Sequence, residues 1–258
     1  MNRLNIILTV NEAYLFVWQK RQDLGLISAP IALVLAITSA LLGSLRAGHR
    51  SGEPGFDPAT LLIAIAFAAI SVGAWIVFAV AWHRRCLVPG YSSTVRDELR
   101  WGKRHSLFLG RAVLLGLLTI VVSALVALPV SLLFASIGGA GGTIGALFLV
   151  AIVLLIEARF MLVLPAAALD QRLGFIGSWN RTEGNVTRIA AVLILTSIPI
   201  SIAFAPIDWL LSAAMVSLNL ADSMAALFVL ALVQSMLGLI VTAFGVTGLS
   251  FCYRDLGE

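Results

Sequence analysis

The chain has 258 residues, of which 60% are apolar and 12% charged, with a net charge of +4 and a mean hydropathy of +1.02. A soluble domain carries about 25% charged residues, so a water-facing globule of this size would lack its polar cover. The composition excludes a soluble α/β fold and predicts an all-α, polytopic membrane protein.

Near the start, Arg3 precedes an apolar run, Leu4–Val10. That run is too short for a signal peptide and leads into Asn11 and Glu12, so no cleavage is expected. Thr9-Val10-Asn11-Glu12 has the form of a capping box and predicts a short helix, with Tyr14, Leu15 and Trp18 on one face. Six spans follow, at about 25–45, 59–82, 107–135, 143–166, 187–208 and 225–251. A helix needs about 20 apolar residues to cross the hydrocarbon core. No charged side chain lies between Arg111 and Glu157, or between Asp222 and Arg254.

Local chemistry marks the spans. In the second, Ala64, Ala68, Ala69 and Gly73 suit close helix packing. Ile137-Gly138-Gly139-Ala140-Gly141-Gly142 predicts a tight hairpin turn between the third and fourth. Pro129, Pro199 and Pro206 read as kinks that membrane helices tolerate.

Orientation follows from the loop cations. Arg3, Lys20 and Arg21 precede the first span. Arg84, Arg85, Arg96, Arg100, Lys103 and Arg104 follow the second. Arg172, Arg181 and Arg188 follow the fourth, and Arg254 closes the sixth. Opposite them, only Arg46 and Arg50 are basic. Both termini are therefore expected in the cytoplasm.

Three segments read alike: Trp18-Gln19-Lys20-Arg21, Trp101-Gly102-Lys103-Arg104 and Trp179-Asn180-Arg181. Each precedes a pair of spans. The unit is a short amphipathic helix followed by a transmembrane hairpin, used three times over 9–85, 94–166 and 173–254. Thr94-Val95-Arg96-Asp97 opens the second short helix. Aromatic rings beside cations suit the headgroup layer. Trp18, Lys20, Arg21, Arg96, Arg100, Trp101, Lys103, Arg104, Trp179 and Arg181 are therefore candidate lipid-headgroup contacts.

The stretch around 159–188 carries Arg159, Leu164-Pro165, Asp170, Ser178-Trp179, Thr182, Gly184 and Arg188, and the chain closes on LSFCYRDL at Leu249–Leu256. This pattern resembles the membrane domain of some glycerophosphoryl diester phosphodiesterases and related bacterial inner-membrane proteins. The resemblance covers the second half well and the first half loosely. It implies a six-helix domain in a bacterial inner membrane. It does not imply phosphodiesterase activity, because the 258 residues read as membrane domain throughout and are not expected to hold the soluble catalytic domain of those enzymes.

No catalytic constellation emerges. His83 and His105 sit beside arginines and read as solvated interface residues. His49, Glu53 and Asp57 recur at four-residue steps, but Pro54-Gly55 breaks the helix that would align them as metal ligands. Asp97-Glu98 reads as a solvated face, and Cys86 and Cys252 as free structural thiols. Gly248-Leu249-Ser250 lacks the closing glycine of a nucleophile elbow. The Asn180 and Asn185 glycosylation patterns lie on the cytoplasmic side and are discounted.

The expected role is non-enzymatic, without a cofactor, metal or nucleic acid, acting through lipid or protein contacts. Anionic lipid is the expected partner. The alternative is a small transporter or channel with a polar site between the repeats. Glu157 and Arg159 are the charges read as lying inside a span. An unpaired charge there is costly, so Glu157 is expected to pair with Arg111 or Arg188.

Overall fold

The structure, a computed structural model, describes residues 3–49, 58–91, 93–135, 139–220 and 223–257. All regular structure among them is helical. The six long helices are α2 (Arg21–His49), α3 (Pro58–Leu87), α5 (Lys103–Ala135), α6 (Gly139–Phe160), α9 (Val186–Ser217) and α10 (Met224–Asp255). Short ones precede or link them: α1 (Ile6–Gln19), α4 (Val95–Leu99), α7 (Val163–Ala168) and α8 (Phe175–Arg181). Six helical stretches are long and apolar enough to cross a membrane, α6 and α7 together forming one.

The long helices alternate in direction. One end of the bundle therefore collects the start of α2, α5 and α9, the finish of α3, α6 and α10, and the short helices α4, α7 and α8. This is the basic end. It carries Arg21, Arg84, Arg85, Arg104, Arg188 and Arg254.

α10 is the hub. It packs most extensively on α2, then on α9, α3 and α1. One core cluster joins Val17, Leu24, Ile27, Phe78, Trp82, Leu239 and Ala243. A second joins Leu4, Ala158, Leu162, Ile189, Val192 and Cys252, and a third ties Ile76, Val80 and Phe108 to Ala167 and Ala168. At the α9–α10 crossing a Cβ on Gly248 would lie 2.8 Å from Thr196 Oγ1, so glycine allows the backbone approach that membrane helices favour.

Away from the basic end the surface is apolar. Leu125, Leu128, Leu132 and Leu133 on α5 are 65–71% exposed. Soluble monomers rarely expose apolar patches this large; a hydrocarbon solvent removes the cost.

Several boundaries differ from expectation. α1 begins four residues early, because Asn5 rather than Thr9 caps it, its side chain accepting from the Leu8 N–H. Gly139–Gly142 is helical rather than part of the turn; the glycines form the first turn of α6, and Gly138 lies outside the described residues. α6 stops at Phe160, and Pro165 explains the break: its ring clashes with the carbonyl of the fourth residue before it, Met161. Pro129, Pro199 and Pro206 all sit inside continuous helices. Ala68 and Ala69 face outward, since the packed half of α3 is its basic half.

Candidate functional site

The basic end is where the candidate residues gather. Trp18 ends α1 and is 69% exposed, and Arg21 stacks its guanidinium 5.3 Å from the Trp18 ring while donating to the Trp18 carbonyl. Lys20 pairs with Asp23 at 3.5 Å in the open. Arg96, Arg100 and Lys103 are exposed and in no ion pair within 4.0 Å among the described residues. Trp101 does not ride on a short helix as its counterparts do. It lies in the connection between α4 and α5, where Nε1 donates to Ser106 Oγ. Trp179 is on α8, and Arg159 packs on its ring at 4.4 Å.

Two candidates for lipid contact are engaged internally. Arg181 donates through Nε to the Leu256 carbonyl and through an η nitrogen to the Tyr253 carbonyl, and covers the Tyr253 ring at 4.5 Å. A cation there satisfies the open carbonyls at the end of α10 and complements its dipole. Arg104 reaches Asp170 at 3.9 Å, which Arg84 also approaches at 4.0 Å.

The expected ion pair of Glu157 is not formed. Glu157 instead accepts from Thr119 Oγ1 on α5. Both arginines are drawn to backbone oxygen. Arg111 donates to the carbonyls of Val163 (2.8 Å), at the start of α7, and Gln171 (3.0 Å), beyond its end. Arg188 donates to the Leu4 carbonyl at 2.8 Å. Arg159 lies in the last turn of α6, inside the span that α6 and α7 form together.

The charge missed within a span is Asp208. α9 runs on to Ser217, so Asp208 lies well inside it and accepts from Gln234 Nε2 of α10 at 2.6 Å. Reading the fifth span to its true length would have found it, since no charge follows before Asp222.

The histidines and one carboxylate also depart from the solvated reading. His83 is 1% exposed, with Nδ1 2.7 Å from Ser250 Oγ. His105 is 4% exposed. Glu98 is buried against Arg85 at 2.7 Å and accepts from Ser93 Oγ. Each is covered by a neighbouring element that sequence spacing does not reveal. Among the described residues no three His, Cys, Asp or Glu side chains are placed to hold a metal; Glu53 and Asp57 lie outside those residues.

The soft pattern at 159–188 builds a polar joint. Ser178 and Thr182 both donate to the Arg159 carbonyl, closing the end of α6. Asn185 Oδ1 accepts from the Leu4 N–H, and Gly184 turns at φ +70° to start α9. Asp170 holds φ +58° and pairs with the arginines above.

Beside this joint, α1, α2, α9 and α10 enclose an apolar groove of about 600 Å³. Asn11, Tyr14, Trp18 and Arg21 stand at its basic end; Ser28, Phe204, Met236, Ile240 and Phe244 line its depth. The Tyr14 hydroxyl donates to the Leu195 carbonyl, and burial raises its pKa, so it stays a neutral donor. Ser28 is 1% exposed, yet its hydroxyl has no hydrogen-bond partner among the described residues. Chemically the groove offers a cation and amphipathic rings at one end and hydrocarbon beyond. No family model, curated protein or solved structure matches this chain.

Proposed function

We propose that this protein is a non-enzymatic membrane protein of a bacterial inner membrane, with cytoplasmic termini, that holds a membrane phospholipid in the groove between α1, α2, α9 and α10. The groove carries this reading. Its volume, about 600 Å³, suits a ligand pocket. Met236 to Phe244 spans about 12 Å of α10 at 1.5 Å per residue, close to half of a roughly 30 Å hydrocarbon core. Trp18 and Arg21 sit where a headgroup phosphate would lie, as interfacial aromatics and cations do. The unsatisfied Ser28 hydroxyl suits an ester carbonyl. The likeness of 159–188 to the phosphodiesterase membrane domain belongs to the same proposal and rests on the residues quoted for it.

The test is lipid retention by the full chain, purified in mild detergent and weighed by native mass spectrometry. Met236→Trp fills the groove and Arg21→Gln removes its cation. Both should lower the retained phospholipid by about ten-fold, a loss of one charge-assisted contact or of the cavity itself. Retention unchanged in both variants would overturn the reading.

The second reading, a small transporter or channel, is favoured by the two intramembrane carboxylates. Glu157 meets Thr119 across α5 and α6, and Asp208 meets Gln234 across α9 and α10. Ionisable residues at that depth mark pathways in many membrane proteins. Flux of a proton or cation through reconstituted vesicles, lost in Asp208→Asn, would replace the lipid reading with this one.

A further inference from the structure

A second cavity opens at the basic end, on helices other than those that form the groove. It holds about 510 Å³ and is lined by Val80, Tyr91, Asp97, Glu98, Arg100, Trp101, Gly102, Arg104 and His105, so α3, α4 and the start of α5 form its walls. Unlike the groove it is polar.

His105 gives the sharpest indication of what it takes. The Gly102 N–H donates to His105 Nδ1 at 3.0 Å. An accepting Nδ1 in a neutral imidazole leaves the hydrogen on Nε2. Nε2 is therefore a donor, shielded from solvent, and no group among the described residues accepts from it. A buried donor without an acceptor is destabilising, and an oxyanion that reached it would relieve this.

The surrounding charges favour an anion. Two nearby carboxylates have partners of their own: Glu98 has Arg85 and Ser93, and Asp97 accepts from the Thr94 hydroxyl at 2.7 Å. Arg100 is in no ion pair within 4.0 Å among the described residues, and Arg104 holds Asp170 only at 3.9 Å. Both guanidiniums present donors in a planar fork that matches phosphate oxygens. Donors from Arg100, Arg104 and His105 approach from different residues, which suits a tetrahedral oxyanion better than a planar carboxylate.

We propose that the cavity between α3, α4 and α5 binds a phosphate group, held by Arg100, Arg104 and His105. The phosphate can come from a lipid headgroup, reached past the 45% exposed Trp101, or from a soluble phosphate ester.

The full chain in phosphate-free maltoside micelles tests this with two probes. Inorganic phosphate is titrated by calorimetry. Phosphatidylglycerol is titrated by native mass spectrometry, in an Arg21→Gln and Met236→Trp background so that the groove does not contribute. Arg104→Gln and His105→Phe should weaken binding by about ten-fold or more, the loss expected for a hydrogen bond to a charged group. Lys103→Gln, an exposed neighbour outside the cavity, should change it by less than about two-fold, as screened surface charges do. Arg100 is exposed, so Arg100→Gln keeps the test open if His105→Phe does not fold. Binding of lipid alone, weakened in this pattern, assigns a headgroup site; binding of phosphate alone assigns a soluble ester. Absence of binding in both arms, or equal weakening by Lys103→Gln, overturns the proposal.

Discussion

Arg85 of α3 and Glu98 of α4 meet at 2.7 Å with only 9% and 4% of their side chains exposed. This seals the connection after α3 against the end of the bundle. Removing one partner from a buried pair leaves the other charge without compensation, at about 3 kcal/mol or more. Glu98→Gln should therefore lower stability by about that amount in denaturant unfolding from mixed micelles. Arg85→Met combined with Glu98→Leu should recover most of it. A loss below about 1 kcal/mol for the single variant would mean the pair is solvated after all.

Gly248 predicts a packing effect. A Cβ there would fall 2.8 Å from Thr196 Oγ1 and 3.0 Å from Thr196 Cγ2. Thr196 is fully buried and β-branched, so it has little freedom to turn aside. Gly248→Ala should cost about 1–3 kcal/mol by overpacking. Adding Thr196→Ala removes both colliding atoms and should restore the melting temperature toward wild type. If the two substitutions simply add, the α9–α10 contact is looser than described.

Glu157 predicts which couplings are present. Its partner is Thr119, whereas Arg111 and Arg188 hold main-chain carbonyls. A double-mutant cycle of Glu157→Gln with Thr119→Val should give about 0.6–1.7 kcal/mol, the range for polar contacts between membrane helices. The same cycle with Arg111→Gln or Arg188→Gln should give a value near zero. Coupling to either arginine would restore the ion pair that sequence spacing suggests.

What the sequence made legible follows from period and charge. The spans are visible because hydrocarbon demands long apolar helices, and the basic end because arginines cannot retreat into it. Contacts that join elements far apart in the chain were not legible. His105 reads as solvated until α3 and α4 cover it, and Arg181 reads as a headgroup contact until the end of α10 presents its carbonyls. The groove was half legible: Tyr14, Leu15 and Trp18 share a face by helical spacing, but Phe204 and Met236 reach it only through the hub packing of α10. Motif residues such as Ser178 and Thr182 carried the family resemblance, and they act on the Arg159 carbonyl.

Orientation gives the last prediction. Arg84, Arg85, Arg96, Arg100, Lys103, Arg104, Arg172 and Arg181 all fall in the connections after the second and fourth spans, at one end. At the other end, the connection between α9 and α10 around Asn219 carries no lysine or arginine. Short loops rich in lysine and arginine stay in the cytoplasm during insertion. The basic end is thus expected inside, which would also place the groove mouth at Trp18 and the proposed phosphate cavity at Arg104 on the anionic inner leaflet. Each cation near that surface gains about 1 kcal/mol from it, so the preference should be large. A periplasmic reporter enzyme fused after Asn219 or near Gly139 should be active, and one fused near Trp101 or Gly177 should be silent. A cytoplasmic reporter at the same positions should give the opposite pattern. Activity at Trp101 with silence at Asn219 would invert the protein and place both ligand sites on the outer leaflet. Activity on both sides of one hairpin would reduce the number of spans.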